Sequence, residues 1–130
     1  MKFSRTVFGI AGIYGIITLA PLYALEAWMN QAFPPPIAHP EHFYGFVGVA
    51  LAWQLVFLLI ARDPVRYRPV MLAAIVEKLS FGIAAWMLFF GGRLAIVSLG
   101  PASIDLALAA LFFMAFRRTG AEPAWTPPST

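Results

Sequence analysis

The stretch VMLAAIVEKLSFGIAAWMLFF, residues 70–90, decides the fold. Its only polar side chains are Glu77, Lys78 and Ser80, set in the middle of an otherwise apolar run. As a helix it reaches across a hydrocarbon core of about 30 Å at about 1.5 Å per residue. Three further runs of similar length and apolarity lie at about 7–25, 43–61 and 94–116. Unpaired backbone groups cannot face lipid and four segments cannot close a barrel, so helix is the form available to them. The sequence therefore predicts an all-α integral membrane protein, four transmembrane helices in an up-down bundle spanning 1–118.

Composition points the same way. Hydrophobic residues make up 61% of the 130-residue chain and charged residues 12%, where soluble domains carry about a quarter. The chain has no cysteine, which removes disulfides, thiolate metal sites and thiol redox chemistry. Basic–aromatic runs outside the apolar spans are few, so a nucleic-acid partner is not expected. The bilayer is the expected partner, with another membrane protein or a second copy of the chain as further candidates. The opening MKFSR and the run after it resemble a signal peptide, but the run is long for one and a small-x-small cleavage site is poor. The segment is kept as a membrane helix.

If the four spans alternate, seven of the nine basic residues fall on one side: Lys2, Arg5, Arg62, Arg66, Arg68, Arg117 and Arg118. The positive-inside tendency then places both termini in the cytoplasm. The opposite side carries Arg93 and a long connection, EAWMNQAFPPPIAHPEH, stiffened by Pro34, Pro35 and Pro36. Gly100 and Pro101 interrupt the fourth run, so its helix is expected to start near Pro101. Gly9, Gly12, Gly15, Gly45 and Gly48 offer surfaces for close helix approach. Residues 119–130 show no periodicity and read as a disordered cytoplasmic tail.

Depth counting gives the most informative feature. From the nearest basic residue inward, Gln54 lies roughly 12 Å deep, Tyr14 about 14 Å, Glu77 and Lys78 roughly 13 to 15 Å, and Asp105 roughly 18 Å. Four helices thus contribute to one polar layer near the midplane. A central charge costs about 2.5–3.5 kcal/mol on insertion scales, so such residues face the bundle and pair. Helix neighbours are 100° apart, so Glu77 and Lys78 are expected to address different partners. Lys78 is expected to meet Asp105; Glu77 turns toward Gln54 or Tyr14, or takes up a proton. If all three ionise, one negative charge is left over, which favours a bound cation or a shared proton. Three roles stay open for the layer: structural pairing, a pocket for a small polar or amphipathic ligand, and a proton or ion path. The candidate ligand-binding residues are Tyr14, Trp53, Gln54, Glu77, Lys78 and Asp105, with Trp53 expected to be buried beside Gln54. Glu77 and Asp105 are the candidate acid–base groups.

His39, Glu41 and His42, with Glu26 across the loop, are weak candidates for a metal site. HPEH in a loop lacks the helical spacing of HExxH, and helix initiation explains Pro40 and Glu41 equally well. Both histidines precede the second run, which argues against haem held between membrane helices. No phosphate loop, nucleophile elbow or Ser/His/Asp set is present, and no cofactor is indicated.

The stretch HPEHFYGFVGVALAWQLVFLLIARDPVRYRPVMLAAIVEKLSFG, residues 39–82, resembles small bacterial four-helix membrane proteins of the DoxX-like and BphX-like kind. The resemblance rests on the aromatic–glycine pair Tyr44-Gly45 opening the second helix and on the arginine- and proline-bearing loop before the third. It implies a four-helix bundle in the bacterial inner membrane. The founding DoxX protein is associated with a quinone-linked oxidoreductase, but no cofactor motif here supports carrying that activity over. A non-enzymatic accessory subunit or small lipophilic-ligand binder is the leading expectation. A membrane enzyme or oxidoreductase partner comes second, and a proton- or ion-coupled carrier third.

Overall fold

The computed structural model describes residues 2–120 and residue 129. Five α-helices follow one another: α1 (Lys2–Leu19), α2 (Glu26–Ala32), α3 (Pro40–Arg62), α4 (Arg68–Phe90) and α5 (Leu99–Arg118). A 3₁₀ turn at Ala20–Ala24 extends α1, and another at Ile96–Ser98 leads into α5. No strand occurs among the described residues. Proline shapes several of these ends. Pro21, with no N–H to donate, sits just past the end of the α-helical part of α1, while Pro40 and Pro69 occupy first-turn positions where that N–H is not needed.

With their leading or trailing turns, α1, α3, α4 and α5 each supply a span of 23 residues. That is about 34 Å of α-helix, enough for the hydrocarbon core. Their outward faces are dense with large apolar side chains, including Ile10, Ile17, Val49, Leu55, Val76 and Met87. Surface of that kind is stable against lipid and not against water. By length and composition all four are long and apolar enough to cross a membrane, as in a multi-pass membrane protein.

The four long helices do not pack as an even ring. Helix α1 lies along α3, α4 lies along α5, and the two pairs join through α1 and α5. Consecutive helices α3 and α4 scarcely touch, which leaves a seam down one side. Close packing within each pair depends on glycine. A Cβ on Gly15 would collide with the side chain of Gln54 on α3, and one on Gly82 would come within 2.6 Å of Leu106 on α5. Gly45, expected at a helix contact, has nothing within 4 Å, because it faces the seam where no helix lies opposite.

The apolar core occupies the end of the bundle where α1 begins and α5 finishes. Phe8, Phe57 and Phe112, one each from α1, α3 and α5, pack with centroids 4.2 to 6.0 Å apart, Phe8 stacked on Phe112 and Phe57 edge-on to both. Met71 and Ala74 of α4 complete the packing. At the edge of this end, Ser4 and Thr119 are buried and share a 2.6 Å hydrogen bond, and Ser4 also donates to Ala115 O. Thr119 therefore belongs to the folded body, in contrast to the reading of 119–130 as a loose tail. The rest of that reading, for 121–128 and 130, lies outside the described residues. Arg68 donates to the carbonyl of Phe116 and lies 3.8 Å above its ring, a cation at the negative end of α5.

Helix α2 went unread in the sequence, where proline content dominated the 26–42 connection. Its position is fixed by Tyr44, whose hydroxyl donates to Glu26 at 2.7 Å, and by Asn30, which accepts from the Ile37 amide at 2.8 Å.

Candidate functional site

Where the phenylalanine stack ends, a cavity of about 360 Å³ begins and runs toward the α2 end. Its polar wall consists of Tyr14, Thr18, Gln54, Glu77, Lys78 and Asp105, drawn from all four long helices. Five of the six candidate ligand-binding residues therefore line one cavity. The sixth, Trp53, is half-buried and lines the adjoining seam, because α3 and α4 part at its level. It is not enclosed beside Gln54 as the depth count suggested.

Lys78 is the centre of the site. Only 6% exposed, it places Nζ 3.2 Å from Asp105 Oδ1 on α5 and 3.6 Å from Glu77 Oε2 on its own helix. The expectation that Glu77 and Lys78 turn to separate partners needs correction. Their Cβ atoms do diverge by the helical step, but the four-carbon lysine stem and the glutamate chain are long enough to close it. The ammonium thus sits between two carboxylates, hydrogen-bonding Asp105 and making with Glu77 an ion contact too long for a hydrogen bond. Beneath it, 5.2 Å away, lies the ring of Phe57, so the top of the aromatic core is the floor of the polar site.

Glu77 reaches neither Gln54 nor Tyr14. Its Oε2 is buried without a hydrogen-bond partner. Gln54, 1% exposed, donates Nε2 to the Ala50 carbonyl of its own helix at 2.8 Å. Its Oε1 is likewise buried and without a partner. An unmet buried acceptor costs about 1–3 kcal/mol, and native structures keep few of them. Thr18 and Ser80, the remaining polar residues near the layer, bond backward to carbonyls of their own helices and donate to none of the charged groups.

A second, larger opening of about 850 Å³ occupies the seam between α3 and α4. Apart from Glu77 and Ser80 its walls are apolar, with Phe46, Val49, Trp53 and Phe81 the bulkiest. Phe46, Ala50, Glu77 and Phe81 border both spaces. The two phenylalanine rings, 6.3 Å apart, form the partition.

At the α2 end, His39, Glu41 and His42 bring their potential ligand atoms within 4.8 Å of one another. All three are exposed; the histidine rings stack and Glu41 lies 3.3 Å from His39. Glu26 does not join them, since Tyr44 takes its carboxylate. Neither the seam nor the cavity was legible as such in the sequence; the cue was small residues at Gly45, Ala50 and Ala73, which leave space when no helix faces them. No protein-family model, no curated protein and no solved structure matches this chain.

Proposed function

We propose that this is a multi-pass protein of the bacterial inner membrane, DoxX-like in kind and with both termini cytoplasmic, that binds a small lipophilic ligand by a polar head. The carrying observation is the cavity itself: an open space whose wall holds a lysine–carboxylate cluster and two buried acceptor oxygens without hydrogen bonds. A layer serving only to hold helices together would be closed and fully paired, and this one is neither. The one-sided distribution of basic residues supports the orientation. Glu77, bordering both spaces with Oε2 lacking a hydrogen bond, also favours a second reading, in which it exchanges a proton with the bound molecule as an acid–base group.

Ala50 tests the binding reading, because it borders both spaces and is nearly buried. A ligand at a hundred times its Kd adds about 2.7 kcal/mol to stability. A panel of lipophiles with polar heads is therefore expected to raise the Tm of the purified protein, and Ala50→Trp, which fills the space, is expected to abolish the rise while remaining folded. A panel without effect on the unaltered protein, or a rise that survives in Ala50→Trp, defeats the reading.

A further inference from the structure

We infer that the seam between α3 and α4 is a lateral doorway from the bilayer, and that what passes through it is a lipophilic cation whose charge is received by Glu77. This rests on the ligand-binding reading above and assigns it a route and a chemical class.

The route follows from the uneven packing. Helices α1 and α3 pack closely, as do α4 and α5; α1 and α5 touch less, and α3 and α4 least of all, so the seam is the most loosely closed side of the bundle among its described residues. On that side the larger space meets the smaller across the Phe46–Phe81 pair, whose rings stand 6.3 Å apart. Both residues are exposed, so rotation of either ring displaces few neighbours. At the floor, the packed rings of Phe8, Phe57 and Phe112 close the way toward the start of α1 and the end of α5.

The class follows from charge and wall chemistry. The ionisable side chains bordering the two spaces are the carboxyl groups of Glu77 and Asp105, the ammonium of Lys78 and the phenol of Tyr14. Two carboxylates face one ammonium, and the ammonium stands closer to Asp105. Glu77 is left as the less satisfied partner, and of the three charged groups it alone borders the outer space as well as the inner. A positive head arriving from the seam therefore meets Glu77 first, with its apolar body against Val49, Trp53 and Val76. The faces of Phe46, Phe81 and Trp53 carry negative quadrupole potential and suit a diffuse cation on the way in. An anion would meet the same rings and two carboxylates.

Tetraphenylphosphonium, tetraphenylborate and tetraphenylmethane have nearly the same shape and differ in charge, so they separate the arguments. Binding is measured to the full chain in lipid nanodiscs, with empty discs subtracted. The phosphonium is expected to bind about tenfold or more tighter than the other two, and Glu77→Gln is expected to erase that preference. For the route, the chain has no cysteine, so Val49→Cys with Ser80→Cys places the only two thiols across the seam. Linking them with a reducible bifunctional thiol reagent is expected to slow phosphonium association about tenfold, with reduction restoring it. Because the link is made after folding, loss of structure does not confuse the result. Equal binding of the borate or the methane overturns the cation class while leaving the binding reading intact. An association rate unchanged by the link overturns the doorway. If none of the three binds, this inference fails, and the binding reading still stands or falls on the lipophile panel with Ala50→Trp.

Discussion

The two halves of this bundle are made from the same four helices and differ in almost everything else. Toward the chain termini, Phe8, Phe57 and Phe112 fill the centre, Met71 and Ala74 close the side, and Ser4 with Thr119 leaves no polar group unmet. Toward α2, the cavity wall holds Gly15 and Ala50 where bulk would fill it, the centre is hollow, and two buried oxygens lack hydrogen bonds. Side-chain volume explains the difference. Helices held at one end by packed rings remain apart at the other when no large residue bridges the gap. One half then gives the bundle its stability, and the other keeps space and unmet polarity for use.

The contrast breaks first at the stack. Phe112→Ala removes a fully buried ring from a site whose neighbours are themselves rigid, and is expected to cost about 3–5 kcal/mol, read as a lower denaturation midpoint. Phe81→Ala, at the partition of the hollow half, is expected to cost much less because that ring is already exposed. Equal losses at the two positions would show that the halves are not mechanically distinct.

Next comes the boundary between the halves. Lys78→Met leaves two carboxylates facing each other without the ammonium between them, and is expected to cost about 3 kcal/mol, the low end for a broken buried pair because a carboxyl group relieves itself by taking a proton. Adding Asp105→Leu is expected to recover part of the loss, and adding Glu77→Leu as well to recover more. Simple additivity through this series would show that Lys78 does not hold the cluster together.

Much of this was legible before any coordinates. Hydropathy and length mark all four long helices, since only a helix satisfies its backbone in lipid, and depth counting gathered Tyr14, Gln54, Glu77, Lys78 and Asp105, which share one cavity. Partnerships were less accessible. The Lys78–Asp105 contact followed from charge and depth, whereas the Glu77–Lys78 contact was missed because the angular step between Cβ atoms says nothing of where long side chains end. Helix α2 was hidden by the prolines that follow it. The seam was invisible because periodicity reports which face of a helix is apolar, and in a membrane the face toward lipid is as apolar as the face toward a neighbour.

Gly15 gives the finest test of the contrast. A methyl group there must overlap the Gln54 side chain, so Gln54 has to leave its rotamer and give up its bond to Ala50 O, or α1 has to move off α3. Gly15→Ala is expected to cost about 1–3 kcal/mol. Gly9, about 1.7 turns closer to the packed end, has only Ala61 Cβ near the same point, at 3.9 Å. Gly9→Ala adds a methyl in ordinary contact to a helix interior and is expected to be neutral or to stabilise by up to about 1 kcal/mol. Two identical substitutions on one helix should therefore differ in sign. The reason is Gln54, so Gln54→Ala should remove most of the Gly15→Ala penalty, and a coupling smaller than about 0.5 kcal/mol would detach the two residues. If the coupling is found, α1 does more than cover the cavity: its glycine fixes where the Gln54 amide sits, and hence the position of an unmet acceptor in the polar wall.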